Sequence, residues 1–351
     1  MQAGVWTLSG QELRSGQSIT VAYSGEESLK QYWARVMFGS GLMVSYAGKR
    51  CTVKKDWLIS AGSSKADISV ECVSLREIKG GQGRPGFLIP AWVRGDMDFS
   101  LIDFTSKSLK NDIRRIRKNA YSFEVATGRD MIERFYKDMY VPFAKGHYGE
   151  ESFLTDYEGF LRDVDNKRLL LIKRDGECVA GELFYLKGRH VEVMELAVKP
   201  GRPDLIKEGA IHALYYFRYL YFRDKPDLRI DIMGTRAFYN DGLMSYKRKW
   251  GYRLTGSLSE TMLRLRLHGD TPAVRSFLIN NPFIALEDDK LVGQVFLDEP
   301  LDIQDAVIQL KRYLWPGIAK VRGHYFPSAK DGPAACSDDG LVEVGPVEGV
   351  C

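Results

Sequence analysis

Between residues 106 and 267 the apolar positions change period repeatedly, and each period predicts an element. Leu109, Ile113 and Ile116 fall at i, i+4 and i+7, which predicts a helix with a narrow apolar stripe. Residues 121–126 alternate as a strand. Met131, Ile132, Phe135, Tyr136, Met139, Tyr140 and Phe143 trace one helical face, and Phe153, Tyr157, Phe160, Leu161 and Val164 trace another. Strands are expected at 169–172, 179–186 and 190–198, joined by turns at Asp175-Gly176 and Lys187-Gly188. A long helix at 204–222, a strand at 230–233, a helix stopping at Gly251 and strands at 252–258 and 262–267 complete the run. From residue 121 onward the string reads β-α-α-β-β-β-α-β-α-β-β.

One strand breaks its own period. In HVEVMELAV the apolar residues keep one parity at Val191 and Val193, then move to the other at Met194, Leu196 and Val198. A one-residue slip of this kind is what a β-bulge produces, and it places Glu192 and Glu195 on the same face. A strand buried on both faces would show the same irregularity.

The flanks are harder to read. Residues 32–46 are apolar but broken by glycine, and 52–59 and 68–75 read as strands. The stretch 79–86 carries Gly80, Gly81, Gly83 and Gly86, but it lacks a Gly-Lys-Ser/Thr ending and contains Pro85. It reads as a surface loop and not as a phosphate cradle. Ile303, Val307, Leu310 and Leu314 form a helical stripe that Pro316 ends. Beyond residue 330 the only charges are Asp331, Asp338, Asp339, Glu343 and Glu348 among small residues, which predicts disorder. The expected domains are a smaller N-terminal α+β lobe at 1–105, an α/β domain at 106–268, an appendage at 269–325 and a disordered acidic tail at 326–351.

Composition narrows the function. With 351 residues, 44% of them hydrophobic, the chain can bury a large core, and a net charge of +4 gives no global bias toward nucleic acid or membrane. The local bias is strong: Lys107, Lys110, Arg114, Arg115, Arg117 and Lys118 lie against one acid, Asp112. That is either a solvated helix face or a surface for an RNA backbone. The five cysteines, Cys51, Cys72, Cys178, Cys336 and Cys351, include no CxxC, so neither a disulfide framework nor a zinc site is expected, and a reducing, cytoplasmic setting is. The dispersed histidines give no metal motif, no GxSxG elbow is present, and no apolar run is long enough to span a bilayer.

The most informative segment is 228–251, LRIDIMGTRAFYNDGLMSYKRKWG: a strand end, a polar turn and a helix. Asn240 or Asp241 suits the N-cap and Gly251 the stop. The order of elements over 121–267 resembles the GNAT acyltransferase fold, a mixed, splayed sheet with helices on both faces. Asp231, Gly234, Arg236, Asn240, Asp241, Gly242, Tyr246, Lys247, Trp250 and Gly251 resemble a run found in the branch related to the Fem peptidyltransferases. The resemblance implies a bulge in strand 190–198 that opens the acyl-donor cleft, and N-acyl transfer to an amine of a small molecule, amino sugar or peptide. It implies acyl-CoA as donor and co-substrate, with aminoacyl-tRNA as the Fem-like alternative. Fem proteins pack two GNAT-like halves, which makes 1–105 a candidate reduced first half by analogy of fold. A non-catalytic reading also stands, in which the basic helix makes the chain a nucleic-acid-binding or scaffolding module.

Acyl transfer needs a base for the amine, stabilisation of the oxyanion and an acid for the leaving group. Glu195 beside the slip is the candidate base, and Asp231 at the end of the neighbouring strand is a second carboxylate. Each has a plain alternative, an ion pair for Glu195 and a turn anchor for Asp231. Tyr239 and Tyr246 are candidate acids, and Arg236, Asn240, Asp241 and Lys247 are candidate acceptor-binding groups. The donor loop departs from the usual pattern. At 199–209, Arg202, Lys207 and Gly209 would serve a pyrophosphate, but Pro203 offers no N–H and Asp204, which suits an N-cap, adds a negative charge.

Overall fold

A computed structural model gives the structure of the protein and describes residues 4–38, 42–49, 66–79, 85–148, 154–326 and 334–347. The strand expected at 52–59, together with Gly80, Gly81, Gly83, Phe153, Cys51 and Cys351, lies outside the described residues. Along the chain run β1 (Gly4–Gln11), β2 (Ser18–Gly25), α1 (Glu27–Met37), β3 (Met43–Lys49), β4 (Ile68–Ser74), α2 (Leu75–Lys79), β5 (Phe87–Pro90) and β6 (Val93–Met97). Next come α3 (Lys107–Lys118), β7 (Ser122–Ala126), α4 (Arg129–Arg134), a π-helical segment (Phe135–Tyr140), α5 (Val141–Tyr148) and α6 (Tyr157–Leu161). They lead into β8 (Lys167–Arg174), β9 (Glu177–Lys187), β10 (His190–Val198), α7 (Pro203–Lys207), α8 (Ala210–Phe222), β11 (Arg229–Asp231) and α9 (Gly242–Lys249). The chain continues through β12 (Tyr252–Leu258), β13 (Thr261–Leu267), α10 (Pro272–Asn280), β14 (Phe283–Glu287) and β15 (Lys290–Leu297). Last are α11 (Ile303–Leu310), β16 (Lys320–Tyr325), β17 (Ala335–Cys336) and β18 (Val342–Pro346). The fold class is mixed α/β.

The chain divides into two compact units, Met1–Arg94 with Gly234–Ser245 and Leu254–Cys351, and Gly95–Met233 with Tyr246–Arg253. These boundaries differ from the expected ones. Residues 1–105 are not a self-contained lobe, because the first unit's six-stranded sheet, β3-β1-β2-β4-β13-β5, inserts β13 between β4 and β5. Sequence proximity would pair β13 with β12, but Met262, Leu263, Leu265 and Leu267 are all buried, as an inner strand requires. The second sheet of this unit runs β14-β15-β16-β18-β17. The tail expected to be disordered supplies its last two strands. Val342 and Val344 are buried, and Glu343, one of the acids of that tail, pairs with Lys320 at 2.8 Å and Arg322 at 2.9 Å.

In the second unit, strands run in the order β6-β11-β10-β9-β8-β7. The β8–β9 turn has Asp175 at φ 52° and Gly176 at φ 80°, the two positive values of a type I′ hairpin, as the Asp-Gly pair predicts. The helix expected at 204–222 is two helices. Gly209 breaks it in a left-handed conformation (φ 97°, ψ 24°), where a side chain would be strained and would press on Arg115. The helix expected at 153–164 shortens to α6 followed by a 3₁₀ turn at Val164–Asn166. Gly251 does end α9: its φ is 81°, and an added Cβ would lie 2.3 Å from the Asp98 carbonyl oxygen.

β10 is bulged. Val193 pairs with Phe184 and Glu195 with Leu183, which leaves Met194 as the extra residue. Its parallel pairing with β11 covers His190–Arg229, Val191–Ile230 and Glu192–Asp231, where β11 ends while β10 runs on to Val198. The slip in hydrophobic parity therefore marked the bulge.

Candidate active site

The two faces of this sheet carry different chemistry. Glu182 and Phe184 of β9 point toward α8: Glu182 bonds Arg218 at 2.7 Å, and Phe184 meets Phe222 edge-on with ring centroids 5.2 Å apart. Leu183, between them, points the other way, and so does Glu195, its register partner across the bulge. Glu192 shares that face through its pairing with Tyr185, and Asp231 shares it through Glu192. The face away from α8, where β10 leaves β11, thus gathers three carboxylates.

Glu195 is half-buried. Thr155 donates its hydroxyl to Oε1 at 2.7 Å, and the backbone N–H of Thr155 in turn donates to the Tyr140 hydroxyl at 3.2 Å. Burial raises the Glu195 carboxyl above its ordinary range, and the hydrogen bonds from Thr155 and Tyr140 offset part of that rise. Among the described residues no lysine or arginine forms an ion pair with Glu195, so the plain alternative for this residue is not what the structure shows. Asp231 is different. Its Oδ1 accepts the N–H of Met233 at 2.8 Å, holding a turn in which Met233 has φ 65°, so it serves at least as a turn anchor.

Tyr246 lies on the α8 side. Its phenol is 2.7 Å from Nδ1 of His212, and the Nε2 of that ring faces Asp112 at 3.6 Å. Lys249 bonds the second oxygen of Asp112. Burial pushes the Tyr246 phenol well above its usual range and His212 below its own, with Lys249 and Arg115 opposing and Asp112 favouring the imidazolium. A neutral His212 then accepts from the tyrosine at Nδ1 and presents Nε2–H to the carboxylate. Tyr246 and Glu195 are not in contact. Asp112 and His212 were missed in the sequence. The signal for Asp112 was there: it falls with Leu109 and Ile116 at i, i+3, i+7, an acid on the buried stripe of an otherwise basic helix.

Lys247, expected to bind an anion, is buried and donates to the carbonyls of Ile232 and Met233, clamping the end of β11. In the donor loop, Arg202 grips Asp204 with Nε at 3.0 Å and Nη2 at 2.6 Å. Arg202 itself takes the N-cap position of α7, and Asp204 lies inside the helix without capping it. Lys207 is exposed, whereas Gly209 and Ala210, at the start of α8, are buried. The loop thus lacks an open cradle of N–H groups for a pyrophosphate.

The remaining candidates belong to the first unit. Arg236 stacks over Trp92 at 3.8 Å and over Tyr32 at 4.5 Å and donates to the Ala91 carbonyl. Asp241 accepts the Met244 N–H at 2.8 Å and so takes the N-cap role, while Asn240 donates to the Asn280 carbonyl. Tyr239 is buried, donates to the Tyr313 carbonyl at 2.8 Å and meets Trp315 edge-on. Among the described residues no three His, Cys, Asp or Glu side chains form a metal-sized group, and no helix is long and apolar enough to cross a membrane.

No protein-family description and no curated protein sequence matches the chain. Among solved structures it is similar to L-PGS from Bacillus licheniformis, at 13% identity and TM-score 0.37, covering 77% of this chain and 87% of that one. It is also similar to FemX, at 12% identity and TM-score 0.37, covering 73% and 83%. A third similarity is to a GCN5-related N-acetyltransferase-like protein from Streptococcus suis, at 14% identity and TM-score 0.28, covering 76% and 84%.

Proposed function

We propose that the chain transfers an acyl group to an amine, with Glu195 as the base that takes the amine proton. The observation that carries this reading is a half-buried carboxyl of raised pKa at the bulge where β10 leaves β11. A carboxyl whose pKa is raised toward neutrality is better matched to accept a proton from an ammonium. Glu192 and Asp231 on the same face favour a cationic acceptor over an anionic one. An acyl-CoA donor would enter beyond the end of β11, with its thioester carbonyl beside Glu195. The test follows free-thiol release from acetyl-CoA in the presence of a panel of primary amines. Amine-dependent release supports the reading; no release with any amine removes acyl-CoA as donor.

A second donor reading, aminoacyl-tRNA, is favoured by one specific observation. Arg202 is held by Asp204, and the start of α8 is buried, so the pyrophosphate loop is poorly suited to acyl-CoA. Under that reading, neutralising Arg114, Arg115, Arg117 and Lys118 weakens donor binding and flattens its salt dependence, while Asp204→Ser is silent. Under the acyl-CoA reading, Asp204→Ser tightens donor binding and the four basic residues matter little. A protein that binds neither donor is left with the non-catalytic reading.

A further inference from the structure

α3 and α8 enclose a groove of about 490 Å³ on the side of the sheet opposite Glu195. Lys110, Arg114 and Arg117 supply one wall and Arg223 the other, and no acid lines it. On α3 the lining residues Lys110, Ile113, Arg114 and Arg117 fall at i, i+3, i+4 and i+7; on α8 and its C-cap, Tyr216, Tyr219, Leu220 and Arg223 repeat the same spacing. Each helix therefore turns one face into the groove. Among the described residues Lys110, Arg114 and Arg117 form no ion pair, and Arg223 has only the exposed Asp224, at 3.5 Å.

The apolar part of the groove is aromatic. Tyr216 and Tyr219 are partly exposed, and Tyr219 is braced by Phe104 at 5.0 Å and by Phe99 at 5.3 Å between ring centroids. A row of unpaired cations beside braced, partly exposed rings suits a ligand with phosphates at one end and a flat ring at the other. Lys110 and Arg114, one helical turn apart, have Cβ atoms roughly 5–6 Å apart, close enough to share one phosphate or hold two adjacent ones.

We propose that this groove binds a nucleotide, with its phosphates on Lys110, Arg114, Arg117 and Arg223 and its base against Tyr216 and Tyr219. The nucleotide is either free or the end of an RNA strand. The proposal does not rest on Glu195 as the base, and it shares Arg114 and Arg117 with the aminoacyl-tRNA reading, from which nucleotide binding in the absence of any acyl transfer distinguishes it.

Calorimetric titration tests it with ATP, a short oligoadenylate and inorganic tripolyphosphate, each at two salt concentrations. ATP or the oligonucleotide should bind, and the tighter of the two identifies the source. Tripolyphosphate should bind about tenfold more weakly, since a stacked base adds to affinity. The pair Arg114→Gln with Arg117→Gln should weaken nucleotide binding about tenfold and lower the log–log salt slope by about one for each phosphate no longer neutralised. The pair Lys107→Gln with Lys187→Gln removes equal charge from exposed positions outside the groove and should leave binding unchanged. Equal losses in both pairs, equal affinity for tripolyphosphate, or no nucleotide binding at all would each overturn the proposal. So would tighter binding to phosphatidylglycerol vesicles than to either nucleotide.

Discussion

The hydroxyl of Thr155 lies 2.7 Å from Oε1 of Glu195, and this bond opposes the burial that raises the carboxyl's pKa. Thr155 immediately precedes Asp156, the N-cap of α6, so the approach to that helix helps set the protonation of a group on the second unit's sheet. The Thr155→Val variant keeps the shape and removes the donor. The acid limb of the pH–rate profile should then move to higher pH by about one unit, because only the ionised carboxylate gains from the bond. An unmoved limb would show that Thr155 has no part in positioning or tuning Glu195.

Arg218 and Glu182 are both buried and form a two-point pair that ties α8 to β9. Replacing Arg218 by Met alone leaves a buried carboxylate unpaired and should cost about 3–5 kcal/mol in denaturant unfolding. Adding Glu182→Leu should recover most of that loss. A double variant as unstable as the single one would mean that the pair holds the fold through packing and not through charge.

His212 makes stability pH-dependent in one direction. Its pKa in the folded state lies below the ordinary value of 6.5, so folding favours the neutral ring. Above pH 6.5 folded and unfolded states both hold it neutral, and the difference vanishes. As pH falls through that value the unfolded chain protonates first, so stability is lost toward acid pH. The His212→Gln variant should lose stability less steeply as the pH falls below 6.5, read as midpoint against pH in urea. Parallel curves for the two proteins would contradict the shift.

The legible part of the fold was the part with local signals. The Asp175-Gly176 turn, the stop at Gly251 and the parity slip in β10 each depend on a few neighbouring residues, and each is found where its pattern lies. What could not be read depends on partners distant in sequence. β13 looks like the return strand of β12, and only the burial of nearly every residue separates it from a hairpin edge. The acidic tail looks disordered until Lys320 and Arg322 supply its counter-charges. The candidate site followed the same division: the position of Glu195 beside the bulge could be read from its own strand. Thr155 could not be found that way, since it is 40 positions away. Lys247 looked like a free cation because the carbonyls that hold it belong to the two residues after β11.

The β11 turn gives a test that separates chemistry from anchoring. Asp231→Asn keeps an oxygen that can accept the Met233 N–H, so its stability should change by less than about 1 kcal/mol, whereas Asp231→Ala should lose about that much. Met233→Gly, at φ 65°, should stabilise the fold by about 1 kcal/mol by relieving a left-handed side chain. A drop in turnover of about 100-fold in Asp231→Asn with stability intact would give Asp231 a role in proton transfer; full activity would leave it as an anchor only.

The most direct measurement is the pH dependence of acyl transfer for the wild type and Glu195→Gln. Folding raises the Glu195 pKa, so ionisation of this group destabilises the fold as pH rises above its ordinary value of 4.5, and the glutamine variant should be at least as stable at neutral pH. Activity of the wild type should rise with pH as the carboxyl ionises. In Glu195→Gln it should be lower by about 100-fold or more, with that acid limb gone. A stable variant that retains full activity and the same acid limb would contradict the assignment of Glu195 as the base.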